Sequence, residues 1–128
     1  MCKMNNTIIG TGTDIESIAR FRGMKRNRDK SFLKRIYAKA ELDYCFSKKD
    51  PAQHLAVRFA AKEAVIKALH HLPNFKALPL SKIEIERSEN GAPRVTLPKT
   101  FKSLKIYLSM SHCGEYALAF VVVEKIIE

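Results

Sequence analysis

The segment from Pro51 to His71 reads as the longest uninterrupted helix of this sequence, and it constrains how the rest must fold. Asp50 suits a cap, Pro51 suits the first helical position, and Gln53 sits where a capping-box partner reaches back. Pro73 stops the helix, because proline cannot continue the hydrogen-bond ladder. Wound as a helix, Val57, Ala61, Ala64 and Ala68 make one side, and Leu55, Val65, Ile66 and Leu69 another. Ala56 and Ala60 lie between them. A helix apolar nearly all round is a buried one, so the remaining chain has to wrap it. Yet Arg58, Lys62, Glu63 and Lys67 stand in its middle. Arg58 and Lys62 share one edge at i,i+4 spacing, and Glu63 and Lys67 share a second edge about 100° away. Two readings follow. Glu63 and Lys67 form an ordinary helical ion pair while Arg58 and Lys62 snorkel to water; or the four make an anion site, one carboxylate among three cations.

The chain has 128 residues, the size of one domain with a real core. With 46% apolar and 28% charged residues it reads as soluble and globular. No apolar run reaches the roughly 20 residues of a membrane span. The opening Met-Cys-Lys-Met-Asn-Asn-Thr lacks a signal-peptide core, so the expected location is the cytoplasm. Cys2, Cys45 and Cys113 are scattered without zinc-ligand spacing and read as free thiols in a reducing compartment. The net charge of +10 is uneven: eleven Lys or Arg lie between Arg20 and Lys49, against Asp29, Glu41 and Asp43. Such a block implies an acidic partner, whether nucleic acid, anionic membrane or acidic protein.

Thr7 to Gly12 reads as a short strand whose glycines permit close backbone approach. Thr13 and Glu16 fit a capping box, which places Asp14 at a helix N-terminus ahead of an Ile15, Ile18, Ala19 stripe. Ser31 to Ile36 and Ala40 to Phe46 follow as short helices. After Pro73 the period changes to two. Lys82 to Arg87 and Pro93 to Leu97 flank the turn signal Asn90-Gly91. Lys105 to Ser111 alternates, Cys113-Gly114-Glu115 turns the chain, and Tyr116 to Val123 is apolar on both faces. The expected architecture is α+β, with an antiparallel sheet packed on the long helix.

No Walker loop, dinucleotide fingerprint or nucleophile elbow is present. Ser111 and His112, as neighbours on a strand, point to opposite faces and cannot act as a nucleophile–base pair. His54, His70 and His71 belong to a helix surface or end and lack a matching carboxylate motif. His112 ends a strand just before a turn, a place where a polar side chain meets ligands. Asp14 and Glu63 stand out as carboxylates that could meet if the first strand packs on the long helix. Two oxygen ligands, with the other positions left to water and phosphate, suit Mg²⁺. Arg58, Lys62, Lys67 and His112 would then neutralise a diphosphate.

Three motifs now stand in register: Gly12-Thr13-Asp14-Ile15 followed by Arg20; Arg58-Phe59-Ala60-Ala61-Lys62-Glu63-Ala64 with Lys67-Ala68; and Ser111-His112 with Tyr116-Ala117 and Ala119. Together they resemble the holo-acyl-carrier-protein synthases, the short 4′-phosphopantetheinyl transferases, over Ile8 to Glu124. Arg35 and Glu41 match a further element of that family. The resemblance implies the 4′-phosphopantetheinyl transferase fold and a Mg²⁺-dependent transfer, serving fatty acid biosynthesis. The phosphopantetheine arm of coenzyme A passes to a serine of apo-acyl carrier protein, releasing adenosine 3′,5′-bisphosphate. By that likeness Asp14 and Glu63 hold the metal, Glu63 and Lys67 serve catalysis, and Arg58, Lys62, Lys67 and His112 surround the coenzyme A phosphates. Arg20 and the basic stretch after it dock the acidic carrier, and active sites lie between the subunits of a homotrimer. Two positions depart from the pattern: Ala38 stands where many relatives have threonine, and Phe120 where some are polar.

Two rival readings remain at this point. A small basic nucleic-acid-binding domain would use the Arg20–Lys49 block against phosphates, but its few aromatics are Phe21, Phe32, Tyr37, Tyr44 and Phe46, several at core spacing, and no strand reads as a base-stacking motif. A non-catalytic coenzyme A-binding module would bind the ligand without transferring its arm.

Overall fold

The computed structural model describes residues 6–126. A long first strand, β1 (Asn6–Ser17), leads through a single 3₁₀ turn at Ile18–Phe21 into two short helices, α1 (Lys30–Ile36) and α2 (Lys39–Phe46). The central helix α3 (Pro51–Leu69) follows. A hairpin of β2 (Glu84–Arg87) and β3 (Pro93–Thr96) comes next, then β4 (Leu104–Cys113) and β5 (Tyr116–Ile126). β1, β5 and β4 pair in that order, antiparallel throughout. The expected α+β architecture, an antiparallel sheet on a long helix, is therefore the one observed. The hairpin is a ribbon of its own rather than part of that sheet. Pro93 opens β3 and Pro98 follows it closely, and proline offers no N–H to a further strand.

α3 is buried on nearly every side, as its apolar circumference requires. Its N-terminal half packs with Phe21, Leu33, Ile36, Tyr37 and Leu42. Its C-terminal half packs with Ile83, Ile85, Val121 and Val123. The helix starts at Pro51, but Asp50 makes no side-chain cap and lies instead 3.9 Å from Arg22.

β1 differs most from the sequence reading. The capping box at Thr13 and Glu16 does not form; the strand runs on to Ser17, with Asp14 opposite Ala119 and Glu16 opposite Ala117. Pairing with β5 along eleven residues outweighs one local cap, which contributes only about 1 kcal/mol. A bulge at Ile9 shifts the register between Ile8 and Gly10. Beyond it Gly10, Gly12, Asp14 and Glu16 share the face toward α3, because strand side chains alternate. The glycines are what let the strand reach the helix. A Cβ on Gly12 would stand 1.9 Å from the carbonyl oxygen of Ala64, and one on Gly10 2.3 Å from that of Ala68.

The sheet's other face is apolar and open. Ile8, Ile15, Tyr107, Tyr116, Leu118 and Phe120 are all exposed there, Phe120 at 46%. Cys45 is buried and Cys113 exposed, both as free thiols, while Cys2 lies outside the described residues.

Candidate active site

Backbone contact between β1 and α3 puts Asp14 beside the helix edge that bears Glu63 and Lys67. Lys67 Nζ donates to Asp14 Oδ1 at 3.1 Å and to the Thr13 carbonyl at 2.9 Å. The helical ion pair expected between Glu63 and Lys67 is not formed, since Lys67 turns to the strand. Asp14 Oδ2 is buried and receives no hydrogen bond. Burial, and then the charge of Asp14, raise the Glu63 carboxyl above the usual glutamate range, against the pull of Lys67 and Arg20. Glu16 stands two residues on, on the same face. Burial first, then hydrogen bonding and charge from Asp14, push it up to about 7, although Arg20 donates to its Oε1 at 2.9 Å. Asp14 thus has a carboxylate on either side, Glu16 along the strand and Glu63 on the helix, with Lys67 and Arg20 at their border and one buried oxygen of Asp14 unpartnered. Such crowding favours an added cation. Among the described residues no three His, Cys, Asp or Glu side chains converge as a complete metal cage. Asp14 and Glu63 fit Mg²⁺, which keeps several waters and takes one or two carboxylates plus substrate phosphate.

Arg58 and Lys62 do not stand with this group, and neither snorkels to water. Lys62 is fully buried. Its Nζ donates to Glu41 Oε1 at 2.6 Å, to the Leu80 carbonyl at 3.1 Å and to the Ile83 carbonyl. All three of its N–H groups are thereby used. Burial draws its ammonium below the usual lysine range and Glu41 opposes that shift. Glu41 in turn accepts from the backbone N–H of Ala38 at 2.9 Å and of Ile85 at 3.0 Å. The half of a capping box supplied by Glu41 thus survives with alanine at position 38.

Arg58 is 2% exposed, and its Nε and Nη1 are buried without partners. Its guanidinium lies over the Tyr44 ring, 4.2 Å from the centroid. His112 is near neither Lys67 nor Arg58 in the hydrogen-bond network; its Nε2 meets Gln53 Nε2 at 2.8 Å at the start of α3. Arg20 is half exposed, bound to Glu16 and lying 5.1 Å over the Phe59 ring. The structure therefore brings Asp14, Glu63, Lys67 and Arg20 together, and sets Arg58, Lys62 and His112 apart from them.

A family model for the 4′-phosphopantetheinyl transferase superfamily matches residues 10–121. The chain belongs to that superfamily. Among transferase relatives, a holo-[acyl-carrier-protein] synthase of Chlamydia muridarum is 46% identical over 121 residues, covering 91% of this chain and 95% of its own. The crystal structure of the holo-[acyl-carrier-protein] synthase from Neisseria meningitidis is similar with a TM-score of 0.78 at 32% identity, covering 93% of this chain and all of its own. That of the Helicobacter pylori enzyme, in complex with coenzyme A, has a TM-score of 0.74 at 34% identity, covering 88% and 98%. Within this fold Glu16, which the sequence offered only as a capping-box partner, stands with Asp14 and Arg20. Its signal was the two-residue spacing from Asp14, and it was hidden by ending the strand at Gly12.

Proposed function

We propose that the chain acts as a holo-[acyl-carrier-protein] synthase in one domain. It transfers the 4′-phosphopantetheine arm of coenzyme A to a serine hydroxyl of an apo-acyl carrier protein and releases adenosine 3′,5′-bisphosphate. The observation behind the mechanism is the buried, unpartnered Asp14 Oδ2 held against Glu63 and Lys67 by the glycine contact. Asp14 and Glu63 would hold Mg²⁺, which when bound offsets charge on the diphosphate and polarises the phosphorus under attack. Lys67, half exposed beside Asp14, adds positive charge where the bisphosphate leaves. Glu63 is the carboxylate assigned to accept the serine proton. Arg58 and His112 supply hydrogen-bond donors to phosphate farther from the reacting atoms. Lys62 supports the site through Glu41 rather than through the substrate.

Arg20 and the basic segment after it dock the acidic carrier, whose charge complements theirs. The exposed apolar face of Ile15, Leu118 and Phe120 supports a homotrimer with sites between subunits, since a patch of that kind is seldom left to water. Among the described residues no helix is long and apolar enough to cross a membrane.

Mass spectrometry of apo-acyl carrier protein incubated with coenzyme A, with and without Mg²⁺, tests the reading. The carrier gains the arm only with Mg²⁺. Asp14→Ala and Glu63→Ala each lower the rate more than about 100-fold, beyond the 10–100-fold loss typical of groups that merely support a metal ligand. Near-normal transfer by either variant refutes the assignment, and coenzyme A binding without any mass gain would leave a binding module.

A further inference from the structure

Arg20 is held more firmly than a half-exposed arginine on a connecting segment has to be. β1 ends at Ser17, and the 3₁₀ turn Ile18–Phe21 brings Arg20 back to Glu16. Ile18 and Phe21 are buried, and the Ile18 N–H donates to the Glu115 carbonyl at 2.8 Å, so the turn itself is fixed. Arg20 Nη1 then donates to Glu16 Oε1 at 2.9 Å. The guanidinium carbon lies 5.1 Å from the Phe59 ring centroid and 5.8 Å from that of Phe21. One carboxylate and two aromatic rings thus hold a side chain that ordinarily samples many rotamers.

The fold gains little from a charge at position 16. The Glu16 side chain is 14% exposed and shares the α3 face of β1 with Asp14. Burial and that neighbouring carboxylate both work against its ionised form. A neutral side chain of the same length would fill the place at lower cost. Among the described residues Arg20 is its only ion-pair partner, as Lys67 is that of Asp14. The charge therefore serves Arg20. Of the five N–H donors on that guanidinium, only the one on Glu16 is engaged among the described residues. The others form a fork that matches a second carboxylate. Phe59 stands four residues before Glu63 on α3, and Glu63 feels the Arg20 charge, so the fork lies at the rim of the Asp14 site.

We propose that Glu16 is a positioning residue for carrier recognition: it holds Arg20 against the Phe59 ring, so that the free N–H groups meet a carboxylate of the acidic carrier already in place. This rests on the carrier-docking reading above. Without Glu16 the guanidinium keeps its charge and its reach but has to be ordered at each encounter, which weakens docking and leaves the reacting atoms untouched. The carrier carboxylate joins Glu16 on the guanidinium rather than displacing it, because the two occupy different N–H groups.

The test varies the carrier in steady-state transfer and titrates apo-acyl carrier protein by calorimetry without coenzyme A. Glu16→Gln raises the carrier KM and the calorimetric Kd about 3- to 10-fold, the effect of one side chain that must be immobilised on binding. kcat, the KM for coenzyme A and the Mg²⁺ concentration at half-maximal rate stay within about 2-fold. Arg20→Ala weakens the carrier more, and adding Glu16→Gln to it costs less than about 2-fold further, because the two act as a unit. Phe59→Leu keeps apolar bulk, removes the ring face and raises the carrier KM about 3-fold; it decides if Glu16→Gln does not fold. An unchanged or lowered carrier KM in Glu16→Gln overturns the proposal, as do losses that add in full to those of Arg20→Ala. A rise confined to coenzyme A or Mg²⁺ overturns it too, by placing Glu16 at the metal. Wild-type protein that binds the carrier without loading it would defeat the transfer reading alone, and the calorimetric comparison would still decide the role of Glu16. No binding of the carrier by wild-type protein overturns both.

Discussion

Replacing Lys62 with methionine keeps the length of the stem and removes the ammonium, which makes it a direct measure of what the buried pair does. The gross attraction between Lys62 Nζ and Glu41 Oε1 at 2.6 Å is about 6 kcal/mol at an effective dielectric near 20. Most of that is offset by the cost of desolvating both charges, so the intact pair adds little net stability. Truncating one partner is different. Glu41, 3% exposed, would keep only the N–H groups of Ala38 and Ile85, and the Ile83 carbonyl would lose its lysine donor while that of Leu80 kept the Ile83 N–H. The expected loss is about 3–5 kcal/mol, which for a domain of this size lowers Tm by about 10–20 °C. Urea denaturation followed by circular dichroism measures it. Adding Glu41→Gln to Lys62→Met should restore about 1–2 kcal/mol, because a neutral amide is less costly to leave half-paired than a carboxylate. Transfer by Lys62→Met, assayed well below its Tm, should stay within about 10-fold of wild type, short of the 100-fold and larger losses expected of a direct ligand. A stability loss below about 1 kcal/mol together with collapse of transfer would refute this reasoning and return Lys62 to the substrate phosphates.

Two further outcomes follow. Leu118→Asp with Phe120→Asp should turn the assembly into monomers by sedimentation or light scattering while the far-ultraviolet spectrum persists, since both side chains point away from the core; an unchanged assembly would place the subunit contact elsewhere. In a Cys2→Ser background Cys113 should react with a maleimide at pH 7.5 and Cys45 should not, because burial pushes the Cys45 thiol up to about 11. Its folded pKa lies above the unfolded value near 9, so this contribution to stability is complete below pH 9 and disappears as pH rises toward 11. Stability that is flat from pH 8.5 to 10.5 would contradict it.

Much of this was legible in the residues. α3 announced itself through Pro51, Pro73 and an apolar circumference, and the alternating segments after residue 80 became strands at nearly the expected positions. Asp14 and Glu63 were singled out together because glycines before Asp14 implied a strand lying against the helix. What could not be read was where each charge turned once the chain closed. The Thr13–Glu16 spacing fits a helix cap while the Asp14–Glu16 spacing fits one face of a strand, and only β5, a hundred residues away, decides between them. Helix geometry placed Arg58 and Lys62 on one edge but could not show that the edge faces inward, where Glu41 and Tyr44 wait. Tyr44 had no local signature at all, because its basic neighbours arrive from α3, β2 and the loop before α3.

The contact of Gly10 and Gly12 with Ala68 and Ala64 also acts on the folding of the sheet. Two strands held only by backbone hydrogen bonds can pair one residue out of step, and such a slip exchanges the faces of every side chain. Here a one-residue slip of β1 would drive the Cβ of a threonine or isoleucine into a helix carbonyl. A two-residue slip would do the same with Asp14 or Ile8. Only one alignment sets both glycines over both alanine carbonyls. The helix therefore proofreads the strand, rejecting misaligned β1–β5 pairs as they dock, and the alignment it accepts is the one that delivers Asp14 to Glu63.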